Sequence, residues 1–301
     1  MLKGENKGGV QFRQETIASR AIEAEVIKSR IDQYIAENPE EFRSASSFTI
    51  AEYGCGIGKN SVEILRHIIE VIRKRDENKP IEVLCNDLPT IKSDMVHDNL
   101  DPLKKEFHHL DICFKPGSFY DVLFPRQSID FAFSFMSVIW LSKVPCPLDA
   151  QFYTSGLDNL DSESLANWKE AARDDWDTFL RNREEELKLN GILFIGTLGH
   201  SDPQTDAEKT IARLNQDWVG RNKDMLEEYG YKRSEYPLNL PVAFRSKAEY
   251  MEPFSNCNLS LSLETYESFQ IEIHLFHRLA DTETQEKLPL LLETINRRIS
   301  Q

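Results

Sequence analysis

The chain has 301 residues, 40% hydrophobic and 29% charged, the ordinary balance of a soluble globular protein. Fifty acidic residues against 36 basic ones leave a formal net charge of −14, which repels a phosphate backbone and disfavours nucleic acid as a partner. No apolar stretch reaches the roughly 20 residues that span a bilayer, and the first residues lack the apolar core of a signal peptide. The cysteines, Cys55, Cys85, Cys113, Cys146 and Cys257, are scattered without a C-x-x-C pair. That argues against a disulfide framework or zinc cluster and suggests a reducing, cytoplasmic setting.

Residues 46–53 (SSFTIAEY) read as a strand entering Gly54-Cys55-Gly56-Ile57-Gly58. Val62, Leu65, Ile69 and Ile72 then recur at helical spacing, with Ile64, Ile68 and Val71 beside them, a face wide enough to cover a sheet. A second strand is predicted over 81–86, ending in Asn86-Asp87-Leu88-Pro89, and two more over 128–135 and 191–198. The period of Phe131, Phe133 and Phe135 puts three rings on one sheet face. A long helical pattern over 164–189 separates the last two strands and is predicted to stop at Asn190-Gly191. This alternation predicts an α/β fold with a mostly parallel sheet and helices on both faces. Residues 258–265 and 268–276 alternate strongly and predict a closing antiparallel pair. The long polar stretches 146–165 and 201–250 fit no compact crossover and read as parts of a cap.

The glycine turn lets the backbone bend sharply and approach a ligand with no Cβ between them. A dinucleotide site wants G-x-G-x-x-G, but here the third glycine comes one residue early and Lys59 takes its place. An NAD-dependent oxidoreductase is therefore disfavoured. Asp87, at the end of the second strand, is placed to accept hydrogen bonds from a ribose.

Several ordered blocks resemble the SABATH methyltransferases, which methylate small carboxylic acids such as salicylate or jasmonate. They are Ile50-Ala51-Glu52-Tyr53-Gly54-Cys55-Gly56 through Asn60, then Asn86-Asp87-Leu88-Pro89. Gly117-Ser118-Phe119-Tyr120 with Leu123-Phe124-Pro125, and Trp140-Leu141-Ser142-Lys143-Val144-Pro145, follow. Asp175 with Phe179-Leu180 and Arg183, then Gly191 and Gly196-Thr197-Leu198-Gly199, complete the series. The resemblance implies a class I, Rossmann-like fold: an α/β core of 1–145, 184–200 and 255–301, under a helical cap of 146–183 and 201–254. It implies S-adenosylmethionine as cofactor, a small carboxylic acid as partner and a homodimer. Asp87 and Leu88 would hold ribose and adenine, Ser118 and Phe119 would flank the adenine, and Gly54 and Gly56 would shape the turn. Glu52, Asn60 and Thr16 would bound the rest of the cofactor. Phe12, Ser19, Met136 and Trp140 would line the acceptor site, with the Trp140 indole donating to the carboxylate.

A carboxylate is ionised at neutral pH, so methyl transfer to it by in-line displacement requires no general base. Departures from the family pattern leave two alternatives open: a non-carboxylate acceptor, or an inactive cofactor-binding subunit. Ser19 stands in place of a glutamine, Met136 of a tyrosine and Glu15 of an asparagine. For an amine or phenol acceptor, Glu15 and His200 are the candidate bases. His108-His109 and His274-x-x-His277 lack the partners of a metal site. Asp174, Asp175 and Asp177 with Glu184–Glu186 read as a solvated helix face. Phe152, Tyr153, Trp168 and Trp176 read as core or pocket aromatics.

Overall fold

A computed structural model describes residues 27–147, 153–154, 161–201, 209, 240–255 and 259–266. Among the described residues, its centre is a sheet of five parallel strands, β1 (Phe48–Tyr53), β2 (Ile81–Asp87), β3 (Leu110–Pro116), β4 (Ile129–Phe135) and β6 (Leu187–Gly196). The order is β3-β2-β1-β4-β6, so the direction of winding reverses between β1 and β4. In open α/β sheets that reversal opens a crevice beyond the carboxyl ends of the strands.

Every residue of β1 is buried, as a strand covered on both faces must be. Phe48 and Ile50 face a cluster built with α1 (described over 27–37), Phe42 of α2 (Pro39–Ser44), α3 (Ser61–Arg75) and α4 (Ser93–Glu106). Ala51 and Tyr53 face a second cluster with α5 (Ser162–Glu186) and α6 (Lys247–Ser255). The apolar face predicted for α3 is the buried one: Ile64, Leu65, Ile68, Ile69, Val71 and Ile72 all lie inside. Each such side chain stabilises the fold by about 1.5–3 kcal/mol relative to exposure. Phe131 and Phe133 share the first cluster, and Phe135 packs against it.

Two predictions are corrected. The long helix ends at Glu186 rather than at Asn190-Gly191. Leu187 already pairs with Ile129, and Asn190 adopts φ 65° inside β6. The Asn-Gly pair therefore makes an irregularity where pairing jumps to Phe131↔Ile192. The antiparallel pair near the end is also absent among the described residues, since 259–266 contain no strand and 268–276 lie outside them. Leu259 and Leu261 do pack inward, but the intervening Ser260 amide donates to the Glu184 carboxylate instead of to a neighbouring strand.

The solvated face read over Glu184–Glu186 is corrected as well, because Glu186 is fully buried with Arg183, their charged groups 2.8 Å apart. Glu186 accepts the Tyr53 hydroxyl and the Leu123 and Phe124 amides. Arg183 donates to the carbonyls of Phe119 at 2.7 Å and Asp121 at 2.9 Å, and lies 4.0 Å over the Tyr53 ring. Burial pushes the Tyr53 phenol well above its ordinary range, against the opposing pull of Arg183. Glu186→Ala, which strands a buried guanidinium, should cost about 3–5 kcal/mol in urea unfolding. The double replacement Arg183→Met with Glu186→Leu should recover only part of that, because two backbone amides still lack their acceptor.

Candidate functional site

Four loops meet at the crevice, each leaving the carboxyl end of one of four neighbouring strands, β3, β2, β1 and β4. The glycine turn after β1 takes left-handed backbone at Gly54 (φ 83°), Gly56 (φ 57°) and Gly58 (φ 80°). Gly54 has a second reason to be glycine, because a Cβ there would lie 2.1 Å from Ser137 Oγ. Ser137 itself donates to the Gly54 carbonyl at 3.0 Å, joining the turn to the loop after β4. A Cβ on Gly56 would meet no atom within 4 Å, so this face of the turn is open to a ligand.

Asp87 grips the turn from β2: its Oδ2 accepts the Gly56 N–H at 2.6 Å and its Oδ1 the Leu88 N–H at 2.7 Å. Each carboxylate oxygen keeps a second lone pair, so the bracing leaves Asp87 able to accept from ribose hydroxyls. Leu88 is 49% exposed beside it. Asn86, fully buried, receives the Gly54 and Cys55 amides on its carbonyl at 2.9 and 3.0 Å. Its side-chain amide donates to the carbonyls of Lys115 and Gly117. The turn after β1 and the loop after β3 are thus fastened to one residue.

Ser118 and Phe119 follow β3, with the Phe119 ring against Tyr120 and Phe179. After β4, Met136 adopts φ 57° and Trp140 is 38% exposed. Glu52 is buried below the turn and accepts from Ser61 Oγ at 2.8 Å, tying β1 to the first residue of α3; Asn60 precedes that residue. Phe12, Glu15, Thr16 and Ser19 lie outside the described residues.

The Trp140 segment is fixed on three sides. The indole-bearing residue bridges Val242, just before the short strand β8 (Ala243–Ser246), which pairs with β5 (Tyr153–Thr154). Ser142 gives its amide and hydroxyl to Asp175 at 2.7 and 2.8 Å, so Asp175 is an anchor rather than part of a solvated face. Arg245, 1% exposed, donates to the Val138 carbonyl at 2.7 Å and twice to that of Ala172. Sequence reasoning missed Arg245, although a lone cation in the run Val242-Ala243-Phe244-Arg245 is a signal of a buried role. Trp168 and Trp176 are core residues, their indoles donating to the Cys146 and Tyr250 carbonyls. Phe152 lies outside the described residues.

His200, in β7 (Gly199–His200), sits with Nε2 3.7 Å from the Glu249 carboxylate. Glu249 also accepts the Ser246 amide while Ser246 Oγ accepts that of Glu249, a reciprocal cap on α6. Burial works to raise the Glu249 carboxyl, but the His200 and Ser246 hydrogen bonds outweigh it and hold the pKa below the usual range.

These contacts separate the glycines. Gly54→Ala combines left-handed strain with a clash against Ser137, whereas Gly56→Ala carries only the backbone strain of about 1–2 kcal/mol. Urea unfolding should show the larger loss of stability for Gly54→Ala.

A sequence model described as S-adenosylmethionine-dependent carboxyl methyltransferase matches residues 13–290. A probable S-adenosylmethionine-dependent methyltransferase of Arabidopsis thaliana is 29% identical over 246 residues, 74% of this chain and 67% of that protein. Jasmonate O-methyltransferase of the same plant is 31% identical over 194 residues, 54% of this chain and 50% of that one. The structure of a loganic acid methyltransferase with S-adenosylhomocysteine superposes with TM-score 0.68 at 20% identity, covering 85% of this chain and 75% of that one, and shows the same fold. With the family match spanning most of its length, the chain belongs to the S-adenosylmethionine-dependent carboxyl methyltransferases.

Proposed function

We propose that this protein transfers the methyl group of S-adenosylmethionine to the carboxylate of a small organic acid, releasing a methyl ester. The observation that carries the reading is the convergence of the glycine turn, Asp87, Ser118-Phe119 and Trp140 on one crevice at the reversal of strand order.

The residues fit the cofactor: the open face at Gly56 admits it closely, and Asp87 offers a carboxylate to its ribose. Leu88 and Phe119 offer apolar surface to its adenine, with Ser118 beside them. Bound there, S-adenosylmethionine supplies an electrophilic methyl on a sulfonium. The acceptor needs only to be held and dried, because a carboxylate brings its own ionised oxygen. Trp140 offers a flat apolar face and one N–H to orient it. Arg245 places a fixed positive charge beneath Val138–Trp140, which favours an anionic acceptor in a chain whose overall charge disfavours one. Phe12, Ser19 and Met136 supply the remaining acceptor walls in this reading. The family resemblance further supports a cytoplasmic homodimer, which sedimentation of the purified chain tests.

Incubation with methyl-labelled S-adenosylmethionine and salicylate, jasmonate, loganic acid and a series of fatty acids should yield a labelled methyl ester. Label on an amine or phenol of a cell extract would instead establish a different acceptor. Binding of S-adenosylhomocysteine with no labelled product would establish an inactive subunit. Trp140→Ala should raise the acceptor KM while leaving S-adenosylhomocysteine affinity nearly intact, and equal loss of both would contradict the role given to Trp140. Asp87→Asn should weaken S-adenosylhomocysteine by about tenfold or more, the scale of a hydrogen bond to a charged group, read by calorimetry.

A further inference from the structure

Tyr120 stands between the cofactor side and the acceptor side of the crevice. Its ring lies 4.7 Å, centroid to centroid, from that of Phe119. Its amide donates to Ser118 Oγ at 3.2 Å, and its carbonyl accepts from Asn182 Nδ2 at 2.7 Å. Its hydroxyl crosses to the other loop and donates to the Trp140 carbonyl at 2.6 Å. The Trp140 segment is tied as well through Val242, Arg245 and Asp175. Tyr120 therefore links the loop after β3 to the loop after β4. Burial first, and then the charge of Asp175, push its phenol above the ordinary range against the opposing pull of Arg245, so the hydroxyl keeps its proton and remains a donor through neutral pH.

We propose that Tyr120 is a positioning residue that transmits cofactor binding to the acceptor site, through the Phe119–Tyr120 ring pair and the hydrogen bond from its hydroxyl to Trp140. The inference rests on the methyltransferase reading above. A ligand seated against Ser118-Phe119 restrains the Tyr120 ring, and the hydroxyl passes that restraint to the backbone that carries the indole. Reciprocity requires the converse, that an occupied acceptor site tightens cofactor binding through the same contact.

The test uses the full chain and S-adenosylhomocysteine as the probe. Iodide quenching of Trp140 fluorescence, isolated by subtracting the signal of Trp140→Phe, is measured with and without the probe. In the parent chain the probe should lower Trp140 quenching. In Tyr120→Phe, which keeps the ring and removes only the hydroxyl, most of that change should disappear. Its affinity for the probe, measured by calorimetry, should stay within about fivefold of the parent, the scale of one neutral hydrogen bond. Tyr34→Phe is the control: it removes a tyrosine hydrogen bond elsewhere in the fold, to Asp130 at 3.3 Å, and should leave the Trp140 response intact. Should Tyr120→Phe not fold, Asn182→Ala, which releases the Tyr120 carbonyl, is expected to reduce the same response. An unchanged response in the folded variant would overturn the inference. Binding of the probe to the parent with no Trp140 response would overturn it too, while leaving the functional reading in place. Failure of the parent to bind the probe would overturn both.

Discussion

The buried pair of Arg183 and Glu186 is the constraint on which the rest of the site depends. Two charges taken out of water are tolerated only when their remaining donors and acceptors are used, and here they are used on the site's own backbone. Arg183 holds the carbonyls of Phe119 and Asp121, and Glu186 holds the amides of Leu123 and Phe124. The loop after β3 is thereby fixed by side chains from the end of α5. Tyr53 completes the arrangement, giving its hydroxyl to Glu186 and its ring to Arg183. One end of a helix thus sets the shape of a loop on the far side of β1 from β4, and with it the position of Ser118 and Phe119.

Much of this was legible in the sequence because the signals are local. The glycines announce left-handed backbone, the α3 periodicity announces a covered sheet, and Asn86-Asp87 announces a strand end. Elements whose character depends on distant partners were harder to read. The edge strand β3 is largely exposed, with only Ile112 buried, and gives no apolar run. Helix α4 carries an internal Pro102, normally a helix breaker. Glu186 is indistinguishable by sequence from the solvated carboxylates around it, such as Asp177, which pairs with Arg181 at the surface. Only the fold reveals that one side of α5 faces the loops.

Glycine turn and carboxylate also constrain each other. Asp87 draws the Gly56 amide toward β2, Asn86 draws in Gly54 and Cys55, and Ser137 closes the remaining side. The crevice is therefore shaped before any ligand arrives, which reduces the ordering that binding must impose.

The bridge between Trp140 and Val242 has a consequence for the order in which the molecule is made. A nascent chain that has emerged through Gly196 already contains the five described strands of the central sheet and the loops proposed for the cofactor between Glu52 and Phe119. It does not yet contain Val242 or Arg245, which seat the Trp140 segment. Since contacts between residues distant in the chain form late, the Trp140 segment is seated after the glycine turn and Asp87 have met. A chain truncated before residue 240 would keep the five described strands and the loops that leave their carboxyl ends, while lacking the contacts that seat the Trp140 segment.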